Sequence, residues 1–418
     1  MAVNKVVMNT ANGEHTLIDL TNDTVTPEML AEGVTAHDAS GEPIVGTMQS
    51  GGGSELPIAQ PKYVNFYDYD GTLRYSYTLE EAKALTELPS GIEHAGLVFQ
   101  EWNWSIQDIK NSTDPIDVGA NYSTHDGKTR IYIELTEGRL SPRFGCAPNG
   151  TVVVDWGDGS ATETLTGTST STVKYTEPHR YNSEGKYTIE LTVSGTVGFI
   201  GNSSEGSLLL TASSAGASQS NGYRNSISKI ELGDRVTALG TYALANCRSL
   251  RTISTPVNLS MSGSRIFNNA NSLVFVAVPA NAGFGEYAFA HTYSLRKASL
   301  PKNIAGVGSY GFYNCYSLGE IPIPDGASYI RTSAFQNCYS ISKVIVPDSV
   351  TRIYASAFSG CGSMAVLRFT AETPPTVDAT SAFTGLPEDV IVEVPQGSLS
   401  VYQNGTNYGT IADRMVGY

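Results

Sequence analysis

The last part of the chain repeats one pattern of hydrophobic and polar positions every 22 or 23 residues. Phenylalanine recurs at Phe267, Phe289, Phe312, Phe335 and Phe358, within phrases such as YGFYNCYSL and SAFQNCYSI. Short alternating segments such as VFVAVP and KVIVP lie between these phrases and end in proline, which lacks an N–H donor. Self-similarity at such a period is typical of a solenoid, in which each unit stacks on the next.

The alternation within each segment predicts one strand per repeat, with every second side chain in the core. The residues expected to point inward are Val276, Val278, Ala298, Leu300, Ile321, Ile323, Val344 and Val346. The residues expected on the outward face of the strands are Phe275, Ala277, Lys297, Ser299, Glu320, Lys343, Ile345 and Arg368.

The phrases with cysteine after phenylalanine resemble the BspA-type leucine-rich repeat of bacterial and phage surface proteins. The resemblance runs from about Ile227 to Tyr418, and Ala270 and Thr292 depart from it where other copies have cysteine. It implies a protein that recognises other molecules and performs no chemistry. The four repeat cysteines, Cys247, Cys315, Cys338 and Cys361, are expected to be buried thiols that pack as small hydrophobic residues.

Residues 1–48 are predicted to form a small N-terminal module. Asn12-Gly13 between two apolar segments indicates a hairpin, and Thr26-Pro27 indicates the start of a short helix. The closing phrase GVTAHDASGEPIVGTM resembles the N-termini of phage structural proteins, which implies a virion attachment module. Residues 49–60 begin with QSGGGS and are predicted to be a flexible Gly/Ser linker.

Residues 61–128 are predicted to form a β-grasp-like domain. A hairpin is expected at Asp70-Gly71, followed by a helix that Thr78 caps. The phrase GLVFQEW near its end is similar to the β-grasp repeat that occurs beside leucine-rich repeats in bacterial surface proteins.

Residues 129–200 contain VVVDWGDGS and, further on, His179 and Tyr181. This set resembles an immunoglobulin-like sandwich of the polycystic-kidney-disease (PKD) type. The resemblance implies that Trp156 lies in the core, that Asp158-Gly159 forms a tight turn, and that His179 and Tyr181 pack near the corner of the sheet.

The chain of 418 residues is therefore predicted to be mainly β and multidomain. Residues 201–385 are assigned to the solenoid and its N-terminal cap, in which LLLT at 208–211 is expected to be a lone capping strand. Residues 386–418 are assigned to a C-terminal cap.

The overall charge limits the partners of the chain. A formal net charge of −14 argues against nucleic acid, since binding to phosphates requires clustered Lys and Arg. No apolar run approaches the roughly 20 residues of a membrane-spanning helix, so membrane insertion is not expected. The start MAVNKVVMNT lacks the apolar segment of a secretory signal.

No catalytic residue, metal site or cofactor is predicted. Residues 306–311, GVGSYG, match the GxGxxG pattern of dinucleotide-binding proteins, but they fall in a repeat turn and not between a strand and a helix. The six histidines are scattered, and no CxxC pair indicates zinc.

One surface pattern is a candidate for binding. Tyr293, Tyr316 and Tyr339 follow the cysteine position at a spacing of 23 residues, so stacking of the repeats would place them in one row. Tyrosine suits the recognition of sugars and proteins, although the sequence alone favours the simpler role of covering the cysteine turn. The outward strand face with Lys297, Glu320 and Lys343 is the second candidate surface.

These features favour a non-enzymatic phage virion protein, a tail fibre or receptor-binding adhesin. Its expected partners are other virion proteins through residues 1–48 and a glycan or protein of the host-cell surface. The expected location is the virion surface, after assembly in the host cytoplasm, and a homotrimer is one conceivable oligomer. The alternatives are a head fibre or capsid decoration protein, a bacterial cell-surface adhesin, and, least favoured, a glycan hydrolase.

Overall fold

The structure is a computed structural model. It describes residues 63–201, 223–280, 282–283, 285–320 and 323–418, together with the backbone of short strands at 5–10, 13–19, 35–37, 43–45 and 209–211. The chain divides into two compact units, residues 1–60 and residues 61–418.

The first unit contains two antiparallel pairs of strands. β1 (Lys5–Thr10) pairs with β2 (Gly13–Asp19), and β3 (Thr35–His37) pairs with β4 (Pro43–Val45). Thr10 lies opposite Gly13, which confirms the hairpin predicted at Asn12-Gly13. The helix predicted at Thr26-Pro27 lies outside the described residues.

The second unit begins with a four-stranded sheet and two short helices. In chain order these are β5 (Tyr63–Tyr67), β6 (Leu73–Thr78), α1 (Leu79–Ala84), β7 (Leu97–Trp102), α2 (Ile106–Asn111) and β8 (Ile116–Thr124). The strand order is β6-β5-β8-β7, and β5 runs parallel to β8. The Thr78 hydroxyl accepts the Glu81 N–H, and the Glu81 carboxylate accepts the Thr78 N–H, which confirms the predicted cap.

A second group of strands follows directly. Its members are β9 (Thr129–Leu135), β10 (Pro142–Asp155), β11 (Glu163–Thr168), β12 (Lys174–Tyr175), β13 (Gly185–Phe199) and β14 (Leu209–Thr211). Trp156 is buried, as expected, and stacks on His179 with ring centroids 4.5 Å apart. The Tyr181 hydroxyl donates to the Trp156 carbonyl oxygen at 2.9 Å. The PKD and β-grasp assignments themselves stay predictions.

The remaining strands belong to the solenoid. They are β15 (Ile227–Glu231), β16 (Val236–Leu239), β17 (Thr252–Ser254), β18 (Phe275–Ala277), β19 (Lys297–Ser299), β20 (Gly306–Val307), β21 (Tyr329–Ile330), β22 (Lys343–Val346), β23 (Arg352–Ile353), β24 (Val366–Phe369), β25 (Thr376–Val377), β26 (Ile391–Val394) and β27 (Met415–Gly417).

The solenoid strands run parallel to their neighbours in two sets of ladders. One set contains β15-β17, β18-β19 and β22-β24-β26-β27, and the other contains β20-β21-β23-β25. Every inward residue predicted from the alternation is buried, except Ile321, which lies outside the described residues.

One sheet and one hydrophobic core run across the boundary predicted at residue 200. β9 pairs with β15, and β13 pairs with β16, so the preceding strands cover the first repeat. β14 pairs with β10, which corrects the prediction of a lone capping strand at 208–211. The physical reason is the edge of β10, whose backbone groups gain partners when a strand lies beside them.

The far end of the solenoid carries short helical segments. These are 3-10 turns at Thr380–Phe383, Gln396–Ser398 and Ala412–Arg414 and the helix α3 (Leu399–Gln403). Tyr402 and Tyr408 are buried against Phe369, which closes the core there. Within the described ranges, no helix has the length and apolar character needed to span a membrane.

Candidate functional site

The turn between the strand ladders carries the repeated side chains. It contains two residues with positive φ, four positions apart, such as Tyr310 (57°) and Asn314 (59°). Asparagine tolerates this conformation better than most residues, and the Asn337 amide donates to the Asn314 side-chain oxygen at 2.9 Å. Gly360 occupies the asparagine position with φ 74°, where a β-carbon would lie 2.4 Å from the Asn337 side chain.

Beneath this turn, the repeat phenylalanines form a continuous stack. Phe312 lies between Phe289 and Phe335, with ring centroids 5.3 and 5.4 Å away and planes within 5° of parallel. The Cys315 thiol donates to the carbonyl oxygen of Phe289 at 3.0 Å. The repeats of Cys315, Cys338 and Cys361 are thereby joined to the repeats before them by ring contact and by a thiol hydrogen bond.

Thr292 explains how one repeat replaces the cysteine. Its hydroxyl donates to the Phe267 carbonyl oxygen at 3.0 Å, just as the thiol does in later repeats. All five cysteines are buried as free thiols, which confirms the predicted burial. Burial raises the pKa of Cys247 and of Cys361 to about 12.

The three tyrosines named from the sequence stand in one row on the surface, which we call the tyrosine ladder (Tyr293, Tyr316 and Tyr339). Their ring centroids are 4.9 and 5.1 Å apart, and the planes lie within 10° and 24° of parallel. The exposed fractions of the side chains are 36%, 37% and 48% along the row. Partial burial and the neighbouring tyrosines raise the pKa of Tyr316.

Because the rings stack on each other, most of their flat faces are already in contact. The ladder therefore presents ring edges and hydroxyl groups along its length, and open faces only at its ends. The row agrees with the prediction from the sequence, and the contact between its rings limits how a ligand can bind.

Further aromatic residues continue this surface. His291 meets Tyr293 and Tyr313 edge-on, with centroids 6.1 and 5.3 Å away, and burial lowers the pKa of His291. Tyr287 stacks on Tyr310 at 4.4 Å, and the Arg265 guanidinium lies 4.2 Å from the Tyr287 ring centroid. Sequence reasoning missed this second row, although Tyr287 and Tyr310 share one position 23 residues apart.

The outward face of the strands was the second binding surface predicted from the sequence. The first half of this face is buried by another part of the same chain. Phe275, Ala277 and Ser299 are buried, because the sheet of residues 63–124 packs on them. A β-carbon at Gly119 would lie 2.7 Å from that of Ala277 and 2.9 Å from that of Ser299. The Asn103 amide also donates to the Val278 and Ser299 carbonyl oxygens.

Lys297 is held within this internal interface. Its ammonium group lies 2.6 Å from the Asp117 carboxylate and 4.8 Å from the Tyr67 ring centroid. Burial disfavours the charge, but the ion pair with Asp117 outweighs it and raises the pKa of Lys297. Lys297 is thus occupied by an intramolecular contact, so it does not share a free surface with Glu320 and Lys343.

The later part of the strand face remains at the surface. Glu320 is exposed and Lys343 is half-buried, whereas Arg368 pairs with Glu393 and lies over the Tyr418 ring. These residues carry both signs of charge and do not form a single-sign patch.

A cleft of about 970 Å³ lies between residues 88–108 and the solenoid. Phe99, Trp102 and Trp104 line it, yet the indole N–H groups of both tryptophans already donate to carbonyl oxygens, those of Pro89 and Leu300. Among the residues that the structure describes, no three His, Cys, Asp or Glu side chains converge as a metal site.

Comparison with known proteins identifies the repeats. The family model described as "BspA type Leucine rich repeat region" matches residues 218–291 and 282–377, in six copies. These residues therefore form a leucine-rich repeat region of BspA type, which confirms the prediction for this part of the chain. No curated protein matches the chain.

Two solved structures resemble parts of the chain. A leucine-rich repeat protein from Bacteroides ovatus ATCC 8483 is 22% identical, with a TM-score of 0.32, and the match covers 40% of this chain and 56% of that one. A leucine rich cell surface protein from Faecalibacterium prausnitzii A2-165 is 15% identical, with a TM-score of 0.25 and coverage of 45% and 62%. The chain thus spans less than two thirds of either.

Proposed function

We propose that the protein is a non-catalytic recognition protein whose tyrosine ladder contacts a glycan or protein on the surface of a host bacterium. The observation that carries this proposal is the row of three stacked and exposed tyrosines on a leucine-rich repeat region. Exposed apolar rings cost free energy in water, and contiguous aromatic patches mark interaction sites. Contact between neighbouring rings also restricts their motion before a ligand arrives. Binding therefore costs little further side-chain entropy.

The carrier of this surface is proposed to be a phage particle. The phrase GVTAHDASGEPIVGTM supports an attachment role for residues 1–48, and the glycine-rich segment after it supports a spacer. In this arrangement the N-terminal module binds other virion proteins, and the repeats extend toward the host. A tail fibre and a head fibre would both attach through the N-terminal module and recognise the host through the repeats.

The binding proposal is tested by adsorption. Purified protein with Tyr293, Tyr316 and Tyr339 all changed to Ser is compared with the unaltered protein for binding to host cells. A matched control changes Tyr63 to Ser, because this residue is 43% exposed and belongs to β5, outside the repeats. We expect the triple variant to lose adsorption at an unchanged melting temperature and the control to keep it. Equal adsorption of all three proteins would refute the binding role.

The proposed attachment to a phage particle is tested by deletion of residues 1–48. The remaining chain contains the larger compact unit, residues 61–418, and is expected to fold and to adsorb to cells. It should no longer co-purify with phage particles. Incorporation of the shortened chain into particles would contradict the attachment role of residues 1–48. Recovery of the full chain from bacterial envelopes without particles would contradict the phage assignment and favour the cell-surface adhesin.

A further inference from the structure

The tyrosine ladder ends abruptly at Tyr339. Its three members stand four residues after the repeat phenylalanine, and the next repeat has Gly362 at that position. A β-carbon at Gly362 would have no atom beyond its own chain neighbours within 4 Å. One face of the Tyr339 ring contacts Tyr316, and the other face is directed at the repeat of Gly362, which has no side chain there. In agreement with this, Tyr339 is the most exposed residue of the row, at 48%.

We call the space above Gly362, beside the outer face of Tyr339, the open rung. Its height is that of one aromatic ring. Consecutive rings lie 5.1 Å apart from Tyr316 to Tyr339, and 6.3 Å apart from Phe358 to Phe383 beneath. In the following repeat Pro387 stands four residues after Phe383, in register with Gly362, and it is half-buried. A single flat ring can thus enter between Tyr339 and the Pro387 rung at the usual stacking separation of roughly 4.5–7 Å.

The groups around the open rung favour an uncharged ligand. Ser340 and Ser363, one residue beyond Tyr339 and Gly362, are exposed. The Ser340 hydroxyl donates to the Tyr316 carbonyl oxygen at 2.7 Å, so towards a ligand it serves as an acceptor. Exposed carboxylates come from Glu388 and Asp389, directly after Pro387. These carboxylates and the net charge of −14 oppose an anionic ring such as a nucleotide or an acidic sugar.

We propose that the open rung over Gly362 binds one uncharged pyranose ring of a host-cell glycan, stacked on the outer face of Tyr339. The proposal rests on the proposed function, since it names the ligand of the same ladder. A pyranose offers an apolar C–H face to the tyrosine and hydroxyl groups to the serines at the rim. Along the rest of the ladder, only ring edges and hydroxyl groups contact the glycan.

The substitution Gly362→Tyr tests the proposal directly. It gives this repeat the Cys-Tyr-Ser order that Cys338 to Ser340 already has, and Gly362 does not adopt the positive φ that disfavours other residues. The new ring would stack on Tyr339 and fill the open rung. Tyr63→Ser is the matched control, because it removes an exposed ring of β5, outside the ladder, and leaves the open rung unchanged.

Binding is measured on an array of uncharged oligosaccharides of glucose, galactose and mannose, with sialylated and uronic-acid-containing oligosaccharides beside them. We expect saturable binding to at least one uncharged member. Gly362→Tyr should weaken this binding by about tenfold or more, the size of one lost stacking contact. Tyr63→Ser should change it less than about twofold. Tyr339→Ser, which removes the stacking face itself, should weaken it as Gly362→Tyr does.

Three results would overturn the proposal: no binding to any uncharged member, binding to acidic members alone, or undiminished binding by both Gly362→Tyr and Tyr339→Ser. Its failure is distinguishable from failure of the proposed function. If the triple serine variant loses adsorption to cells while Gly362→Tyr keeps it, the ladder still recognises the host, but along its edges. If the triple variant adsorbs normally, the ladder has no binding role.

Discussion

The Cys338 thiol donates a hydrogen bond to the Phe312 carbonyl oxygen in the preceding repeat, 3.0 Å away. Thr292 makes the equivalent bond to Phe267 with its hydroxyl group. The position therefore accommodates a small donor, and its chemistry is not specific to sulphur.

From this relationship we predict the order of stability among variants of Cys338. Cys338→Thr keeps a donor, whereas Cys338→Val has nearly the same shape without one. The free energy of unfolding of the valine variant should be lower than that of the threonine variant by about 1 kcal/mol, the net value of a typical hydrogen bond. Urea denaturation measures the difference. A valine variant at least as stable as the threonine variant would show that the cysteine serves only as a hydrophobic residue.

The buried thiols predict a loss of stability at alkaline pH. Burial raises the pKa of Cys361 to about 12 from an ordinary value of 9.0. Between these values the unfolded chain releases the thiol proton and the folded chain keeps it, so rising pH favours unfolding. The loss is about 1.4 kcal/mol per pH unit for each such thiol.

Urea denaturation at pH 8 and pH 10, in the presence of a reductant, checks this expectation. The free energy of unfolding should fall between the two conditions, and Cys361→Thr should fall less than the unaltered protein. An identical fall in both proteins would mean that other groups, such as the buried tyrosines, carry the whole effect.

The phenylalanine stack predicts a large cost for removing one ring. Phe312 is fully buried between two parallel rings, and Phe312→Ala leaves a cavity that the rigid neighbours cannot fill. We expect a loss of about 3–5 kcal/mol in the free energy of unfolding. Tyr316→Ser, four residues further along the same turn, should cost far less, because its ring is 37% exposed. Similar costs for both would mean that the ladder is part of the core.

The contact between Lys297 and Asp117 predicts a stability effect without a binding effect. Lys297→Met leaves the Asp117 carboxylate, 5% exposed, without its cation. We expect a loss of about 3 kcal/mol, at the low end for a broken buried pair. The double variant Lys297→Met with Asp117→Asn should recover part of this loss, and adsorption to cells at temperatures below unfolding should stay unchanged. If Lys297→Met is stably folded but no longer adsorbs to cells, Lys297 takes part in recognition after all.

The solenoid could be predicted from the sequence because the residues that form it recur at a fixed spacing. The spacing of Phe289, Phe312 and Phe335 predicts the stack, and Val344 and Val346 predict the inward face, as observed. Each of these contacts joins a residue to its counterpart one repeat away, so a single period describes them all.

The covering of the first half of the strand face could not be predicted in the same way. Asn103 contacts Ser299, and Asp117 contacts Lys297, across more than 170 residues and without any repeated spacing. A partial signal was nevertheless present. Besides Lys297, the outward positions of these strands are apolar or small, namely Phe275, Ala277 and Ser299, whereas the later strands carry Lys343 and Arg368 beside Ile345. Outward residues that suit a buried interface indicated that this part of the face was occupied.

The stacking of the ladder was predicted only in part. The spacing placed Tyr293, Tyr316 and Tyr339 in a row, but it did not show that their faces would be used against each other. Ring orientation depends on side-chain rotamers, which the sequence does not specify. The absence of a ring at Gly362 was readable from the sequence, yet it acquires meaning only when the row is known to be stacked.

The most direct test of the recognition surface is tyrosine footprinting of the protein bound to host cells. Protein in solution and protein adsorbed to cells are iodinated briefly, and the modified tyrosines are quantified by peptide mass spectrometry. Tyr293, Tyr316 and Tyr339 should be modified in solution and protected on cells, with Tyr339 protected most, whereas the exposed Tyr63 should react equally in both states. Equal modification of the ladder in both states, with protection elsewhere, would contradict the assignment of this surface to host recognition.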